Sequence, residues 1–427
     1  MKRLAAALLL SLALAATLVA AQAPSSKPLD IYVVDTEGGK AALFVSPTGQ
    51  SLLIDSGNPG GRDTDRIMEV VNQAGLKQID FLISTHYHGD HVGGLTELVK
   101  RIPVGTFIDH GPSVEPKEQV QGFQAAYAEL YGKAKHMVAK PGDKVPITGL
   151  DWRIVTSAGK ALKTPLPGGG KPNPECAKFT PKEMSNEDDN GQSVGSVVTL
   201  GQFRLVDLGD LLWNREQELM CPNNPIGTVD LYLVTHHGLD QSGSPVLVHA
   251  LQPRVAVMQN GTRKGAGTQA MPTMRTSPGL EDIWMLHWSY GAGIEQNSAG
   301  VFIANVEDNA TTAGILTSPA GQGGPGRGGP APAAGGPPAA APAGGAPAAP
   351  AAGSAAGAQA AGSAASPTPG ATPQAQPPQQ GAGRSNAPAD HSPAYYIKIS
   401  ARPDGSFTVT NSRNGFSKTY AARPRAR

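Results

Sequence analysis

The sequence predicts an α/β chain in which helices pack on sheets. Three observations carry this. Short apolar runs with strand character recur between Leu29 and Met258, separated by turns and by stretches of helical spacing. Several runs stop at polar or glycine corners, as at Ser56-Gly57 and at His236-His237-Gly238. Between them, Asp65 to Ala74 places Ile67, Val70 and Val71 on one helical face.

Taken in order, Leu29–Val34, Ala41–Val45 and Ser51–Asp55 read as strands, followed by the Asp65–Ala74 helix. Ile79–Ser84 reads as a buried strand, and a helix begins between Gly94 and Lys100. The second half repeats the type. Trp152–Thr156, Ser196–Leu200, Phe203–Leu208, Val229–Thr235 and Arg254–Met258 are strands, and Val246–Ala250 is a short helix.

The ends of the 427-residue chain differ in kind. Residues 1–23 read as a signal peptide: Lys2 and Arg3, an apolar stretch from Leu4 to Val19, and small residues before Gln22. No later stretch is long and apolar enough to span a bilayer, so a secreted or periplasmic protein is expected after cleavage. Residues 24–317 look globular. Residues 318–390 are dominated by Gly, Ala, Pro, Ser and Gln, which cannot offset chain entropy by burial, and read as a disordered linker or insertion. In 391–427, Tyr395–Ser400 and Ser406–Thr410 flank Asp404-Gly405 and predict a β-hairpin. An isolated hairpin is marginal in water, so docking on the main domain is expected.

With 35 basic and 34 acidic residues the net charge is +1, which supplies no field for sequence-independent nucleic-acid binding. Oligomeric state is not legible. An oxidising compartment would allow Cys176 and Cys221 to pair, but their separation leaves pairing open. Neither belongs to a Cys-x-x-Cys metal motif.

The chemistry concentrates where the Ile79–Ser84 strand ends. His86-Tyr87-His88-Gly89-Asp90-His91 puts four potential metal ligands into six residues of a chain with ten histidines. Imidazole and carboxylate suit zinc and related transition metals. His86 and His88, at alternate positions, can face one cation, and Asp90 and His91, on the next bend, can face a second. Gly89, Gly93 and Gly94 allow a tight turn around the ions.

This run resembles the signature of the metallo-β-lactamase superfamily. Leu53-Ile54-Asp55-Ser56-Gly57 is similar to that family's first motif, whose Asp orients the metal loop. Leu205-Val206-Asp207-Leu208-Gly209-Asp210 is similar to the motif whose final Asp bridges two metals. Leu233-Val234-Thr235-His236-His237-Gly238, with Ser242 nearby, resembles the closing motif of the branch containing the DNA-uptake protein ComEC. Asn190-Gly-Gln-Ser193 and Leu251 to Gly261 fit the same branch. The resemblance covers most of residues 29–306.

The resemblance implies a four-layer αββα sandwich and two divalent ions, zinc or alternatively manganese. His86 and His88 would hold the first ion, Asp90 and His91 the second, and Asp210 would bridge. His236 or His237 would complete the second ion; His237, directly before the glycine, is the expected ligand, with His236 orienting substrate. Many family members carry a third His on the first ion. Here only His110 and His136 lie in that interval, and His110 follows its strand too early. The first ion is then weak, or completed by Asn190 or water. Two such cations would lower the pKa of a bound water, present hydroxide and polarise the oxygen under attack. Asp90 would orient that nucleophile, Asn190, Ser193 and His236 would donate to developing charge, and His287 would line the cleft. His249 reads as an ordinary helix-face residue.

The expected function is a secreted metal-dependent hydrolase acting on a phosphodiester or related phosphoester. The rivals are a lactam, lactone or amide hydrolase of the same fold, and a non-catalytic binding or scaffold protein.

Overall fold

Alternation along the strands sets the layering. Within Phe203–Asp207, Leu205 points into one apolar cluster and Val206 into another. Leu231–Leu233 does the same, with Leu231 and Leu233 on one side and Tyr232 on the other. Both faces of these strands are therefore buried, which is the pattern of a sheet covered on both sides. The structure, a computed structural model, describes residues 27–185, 187–306 and 393–423.

Two nine-stranded sheets form. The first runs Ser417–Tyr420, Phe407–Asn411, Ile397–Ala401, Leu29–Val33, Ala42–Val45, Ser51–Ile54, Ile79–Ile83, Val104–Asp109, Lys135–Val138. The second runs Ile303–Asn305, Asp282–His287, Val255–Met258, Leu231–Leu233, Phe203–Asp207, Gly195–Leu200, Asp151–Ser157, Lys144–Val145, with Lys160–Ala161 paired to Asp151–Ser157. Ile31, Phe44 and Ile83 from the first meet Trp152, Leu205 and Trp284 from the second in one core. The outer face of the first sheet packs Leu43, Leu53 and Leu82 against helices Arg62–Gln73, Leu95–Arg101 and Glu118–Tyr131. That of the second packs Val206 and Tyr232 against Trp213–Met220, Pro245–Leu251 and Ala270–Arg275. The order helix, sheet, sheet, helix is the αββα sandwich.

The C-terminal segment is a three-stranded meander, one strand more than the hairpin expected from Tyr395–Thr410, because Ser417–Tyr420 pairs with Phe407–Asn411. Ile397–Ala401 pairs antiparallel with Leu29–Val33, Ile399 facing Ile31, and so extends the first sheet. The second sheet ends at Asn305, and Tyr395 precedes the Ile397–Ala401 strand of the first sheet. Asn305 Nδ2 donates to the Tyr395 carbonyl and Tyr395 N donates back to Asn305 Oδ1, both at 2.9 Å. Asn305 and Tyr395 are thus tied together. The expected leader, 1–23, and the expected linker, 318–390, lie outside the described residues.

Cys176 and Cys221 form a disulfide across 45 residues, a pairing the sequence left open. It ties the turn Pro174–Lys178 to the end of the Trp213–Met220 helix. Among the described residues no helix is long and apolar enough to cross a membrane.

Parallel pairing positions the site. Ser51–Ile54, Ile79–Ile83 and Val104–Asp109 run parallel in the first sheet, and Phe203–Asp207, Leu231–Leu233 and Val255–Met258 in the second. The loops after the carboxyl ends of parallel strands are where α/β sheets place ligands. Here those loops carry Asp55, His86–His91, Asp210, His236 and His237.

Candidate metal centre

The metal loop is fixed from below by Asp55. Its Oδ1 accepts from Thr85 N at 2.8 Å, and its Oδ2 accepts from the Thr85 hydroxyl at 2.8 Å and from His91 Nδ1 at 2.7 Å. After His88 the chain turns into the short helix Gly89–Val92. A side chain at Gly93 would meet the Gly89 carbonyl at 2.2 Å, and one at Gly94 the Ser56 carbonyl at 2.3 Å, so both positions need glycine.

Three distant segments meet above this loop. His91 Nε2 lies 3.2 Å from Asp210 Oδ2 and 3.2 Å from His237 Nε2. His237 Nε2 lies 3.2 Å from Asp210 Oδ2 and 3.3 Å from Asp90 Oδ2. The ligand atoms of Asp90, His91, Asp210 and His237 all fall within 4.8 Å of one another. His236 Nε2 stands slightly apart, 3.5 Å from Asp210 Oδ2. The His86 ring centre is 4.1 Å from that of His91 and 4.6 Å from that of His88.

His236 and His237 adopt φ of 53° and 56°, the left-handed region. Such residues cost on the order of 1–3 kcal/mol each and persist where surrounding structure enforces them. Here the kink lets two adjacent imidazoles both reach Asp210.

Hydrogen bonds on the far side of each ring assign its proton. His237 Nδ1 donates to the Gln259 carbonyl at 2.9 Å, and His91 Nδ1 to Asp55. The Thr85 hydroxyl spends its proton on Asp55, so at 3.1 Å it accepts from His86 Nδ1. The Ser242 hydroxyl spends its proton on the Leu211 carbonyl, so at 3.1 Å it accepts from His236 Nδ1. His88 is reversed: its Nε2 donates to Glu115 Oε2 at 2.8 Å, leaving Nδ1 as its open nitrogen. Outer hydrogen bonds of this kind fix the tautomer of metal-binding histidines. They also correct the role expected of His236. A neutral ring with its proton on Nδ1 presents an acceptor at Nε2, so it does not donate to developing negative charge.

The donor set fits divalent cations. His86 Nε2, Asp210 Oδ1 and Asn190 Oδ1 are buried and have no hydrogen-bond partner among the described residues. Buried polar atoms are normally satisfied, and an unmet one points to a missing ion or water. His86, His88, Asp90, His91, Asp210 and His237 are the residues able to hold such ions.

Charge in the metal-free site is strongly coupled. Burial works against the His91 cation, but Asp210, Asp90 and Asp55 raise its pKa to about 10. Burial also opposes the Asp90 carboxylate, but Lys264, His91 and His237 outweigh it and hold it well below the usual range. Asp210 is held low in the same way by His237, His91 and His236 against its burial. Burial pushes His236 down to about 4, so it is neutral near pH 7.

Ser193 is buried and supports the site through the backbone, its hydroxyl accepting from Asp210 N at 3.1 Å. His287 does not line the cleft. It is fully buried, with Nε2 at 2.6 Å from Asp35 Oδ1, and Arg66 holds the other Asp35 oxygen at 3.1 Å. His110 meets Asp189 at 3.3 Å, His136 meets Asp109 at 2.6 Å, and His249 meets the Thr273 carbonyl at 3.0 Å.

Four further charged residues lie around the centre. Lys264, in a tight glycine-flanked turn, puts Nζ 2.5 Å from Asp90 Oδ2. Lys40 is buried beneath, paired to Asp207 at 2.8 Å. Glu115 orients His88, and Lys117 pairs with its other oxygen. A cleft of about 440 Å³ opens over His88, Asp90, Glu115 and Lys117. The glycines around Lys264 were the only sequence sign of its turn.

Residues 35–172 match the family described as the metallo-beta-lactamase superfamily. The chain is 25% identical over 224 residues to competence protein ComA of Neisseria gonorrhoeae, a match covering 52% of this chain and 26% of that protein. It is 29% identical over 190 residues to ComE operon protein 3 of Bacillus subtilis, covering 44% of this chain and 20% of that protein. It thus spans about a quarter or less of either relative. Among solved structures, a metallo hydrolase from the archaeon Ignicoccus hospitalis superposes with a TM-score of 0.37 at 15% identity, covering 60% of this chain and 94% of that one. Members of the superfamily are metallo-hydrolases, and the two competence-protein matches support the ComEC-like branch. Over residues 35–172, therefore, the chain matches a metallo-beta-lactamase superfamily domain.

Proposed function

We propose that this chain is an exported two-metal hydrolase that cleaves a phosphodiester or related phosphoester. The observation that carries the hydrolase reading is the convergence of Asp90, His91, Asp210 and His237 within 4.8 Å from three separate segments. His86 and His88 would hold one ion, Asp90, His91 and His237 the other, with Asp210 between them. Divalent ions there would supply Lewis acidity and a water acidic enough to attack near neutral pH.

The chain's own groups do the rest. Asp90 meets His237 at 3.3 Å and also lines the cleft, which supports a role in orienting the attacking water. His236 keeps its proton on Nδ1 and offers Nε2 as an acceptor beside Asp210. Lys264 supports an anionic substrate: once Asp90 serves a metal, its ammonium is free to neutralise a non-bridging phosphoryl oxygen. The Cys176–Cys221 disulfide supports export, since such bonds persist in oxidising compartments.

The test is turnover by purified protein, with zinc or manganese, of bis-p-nitrophenyl phosphate, nitrocefin and a lactone panel. Metal-dependent cleavage of the phosphodiester is expected. Turnover of nitrocefin alone would replace the phosphoester reading, and inactivity on all three with no bound metal would leave a scaffold.

A further inference from the structure

We infer that Asn190 supplies the third protein donor to the first ion through its side-chain Oδ1, with Glu115 as the positioning residue that sets both this turn and His88. The inference rests on the two-ion reading above.

The turn carrying Asn190 lies alongside the metal loop. Tyr87 N donates to Asp189 Oδ2 at 2.7 Å, and Val194 N donates to the Thr85 carbonyl at 2.9 Å. Residues 189–194 therefore bracket His86, while Ser193 holds Asp210 N at 3.1 Å. The turn is tightly held: His110 and Ser113 also bond the Asp189 carboxylate. Glu115, 1% exposed, joins the two halves through one atom. Its Oε2 accepts from His88 Nε2 at 2.8 Å and from Asp189 N at 3.1 Å.

In this setting the buried atoms without a hydrogen-bond partner among the described residues include His86 Nε2, Asn190 Oδ1 and Asp210 Oδ1. All three are acceptors, because the His86 proton sits on Nδ1. An unmet buried acceptor costs about 1–3 kcal/mol. These acceptors cannot satisfy one another, and a water has only two protons to offer. A cation beside His86 would satisfy such acceptors, and the bonds of Tyr87 to Asp189 and of Val194 to Thr85 set the turn carrying Asn190 alongside that residue. Asn190 is 7% exposed, so bulk solvent does not serve it. An amide oxygen in place of a third imidazole also makes the site harder, which shifts its preference from zinc toward manganese.

The experiment is metal titration of the full chain, stripped with chelator and reloaded, read by elemental analysis and by the Co²⁺ electronic spectrum. Wild type is expected to bind two ions. Asn190→Ala should keep the second ion and bind the first more weakly by about tenfold or more. Asn190→Asp, which retains an oxygen donor, should restore two ions, and Asn190→His should tighten zinc at the first site and alter the Co²⁺ spectrum. These two variants decide the matter if the alanine form does not fold by circular dichroism. Two ions at wild-type affinity with an unchanged Co²⁺ spectrum in Asn190→Ala and Asn190→His would overturn the assignment while leaving the two-ion reading intact. Fewer than two ions in wild type would overturn both.

Discussion

The half-site of Asp90, His91 and His237 and the half-site of His86 and His88 share one loop but are assembled differently. The former draws on both sheets, its ligand atoms are within 4.8 Å together with Asp210, and its histidines are braced by Asp55 and the Gln259 carbonyl. The latter takes both imidazoles from a single tripeptide, and His86 Nε2 is buried with no hydrogen-bond partner among the described residues. The first-ion site leans on one carboxylate, Glu115, for the orientation of His88. The difference teaches that affinity should be unequal: a ligand set drawn from both sheets and braced by a buried carboxylate and a backbone carbonyl loses less freedom on binding than one braced through the Thr85 hydroxyl and Glu115.

The largest effect should come from Asp210, which the proposed arrangement puts between both halves. Asp210→Ala should lose both ions and reduce phosphodiester turnover by more than about 100-fold. Retention of both ions in that variant, by elemental analysis, would remove the bridge. Asp55→Asn should come next, because it loosens the second half-site from below while sparing His88. Its second-ion affinity should weaken by about 10–100-fold, read by chelator competition. Equal weakening of both ions would mean that the halves are not separable.

Glu115→Ala should weaken the first ion by about tenfold and leave the second unchanged, with Glu115→Gln restoring much of the loss through its acceptor oxygen. Loss of the second ion instead would invert the comparison. The smallest effect is on pH. In the metal-free protein His91 has a pKa of about 10, above its unfolded value near 6.5. Its stabilisation is therefore complete below about pH 6.5 and is lost as pH rises through about 10. The Tm of metal-free protein should fall across that window more steeply than that of loaded protein, where the ion displaces the proton. Parallel Tm profiles would detach His91 from metal binding.

What the sequence disclosed follows from how the ligands are distributed. The metal loop is legible because four ligand types occupy six residues at a strand end. Asp210 and the 236–237 pair are legible because each closes a short apolar strand. Glu115 is not, since a lone glutamate between Val114 and Pro116 carries no period or motif, and only folding brings it to His88. His287 misled for the reverse reason: its Trp-flanked run suggested a cleft wall, whereas its partner Asp35 is 252 residues away. The Glu118–Tyr131 helix escaped notice because it buries only Val120 and Tyr127 and shows little amphipathic pattern.

Anomalous diffraction from crystals loaded with zinc or manganese tests the arrangement most directly. Two peaks in the cleft are expected, one among Asp90, His91 and His237 and one beside His86, His88 and Asn190, with Asp210 reaching both. A single peak away from Asp210, or none in the cleft, would contradict it.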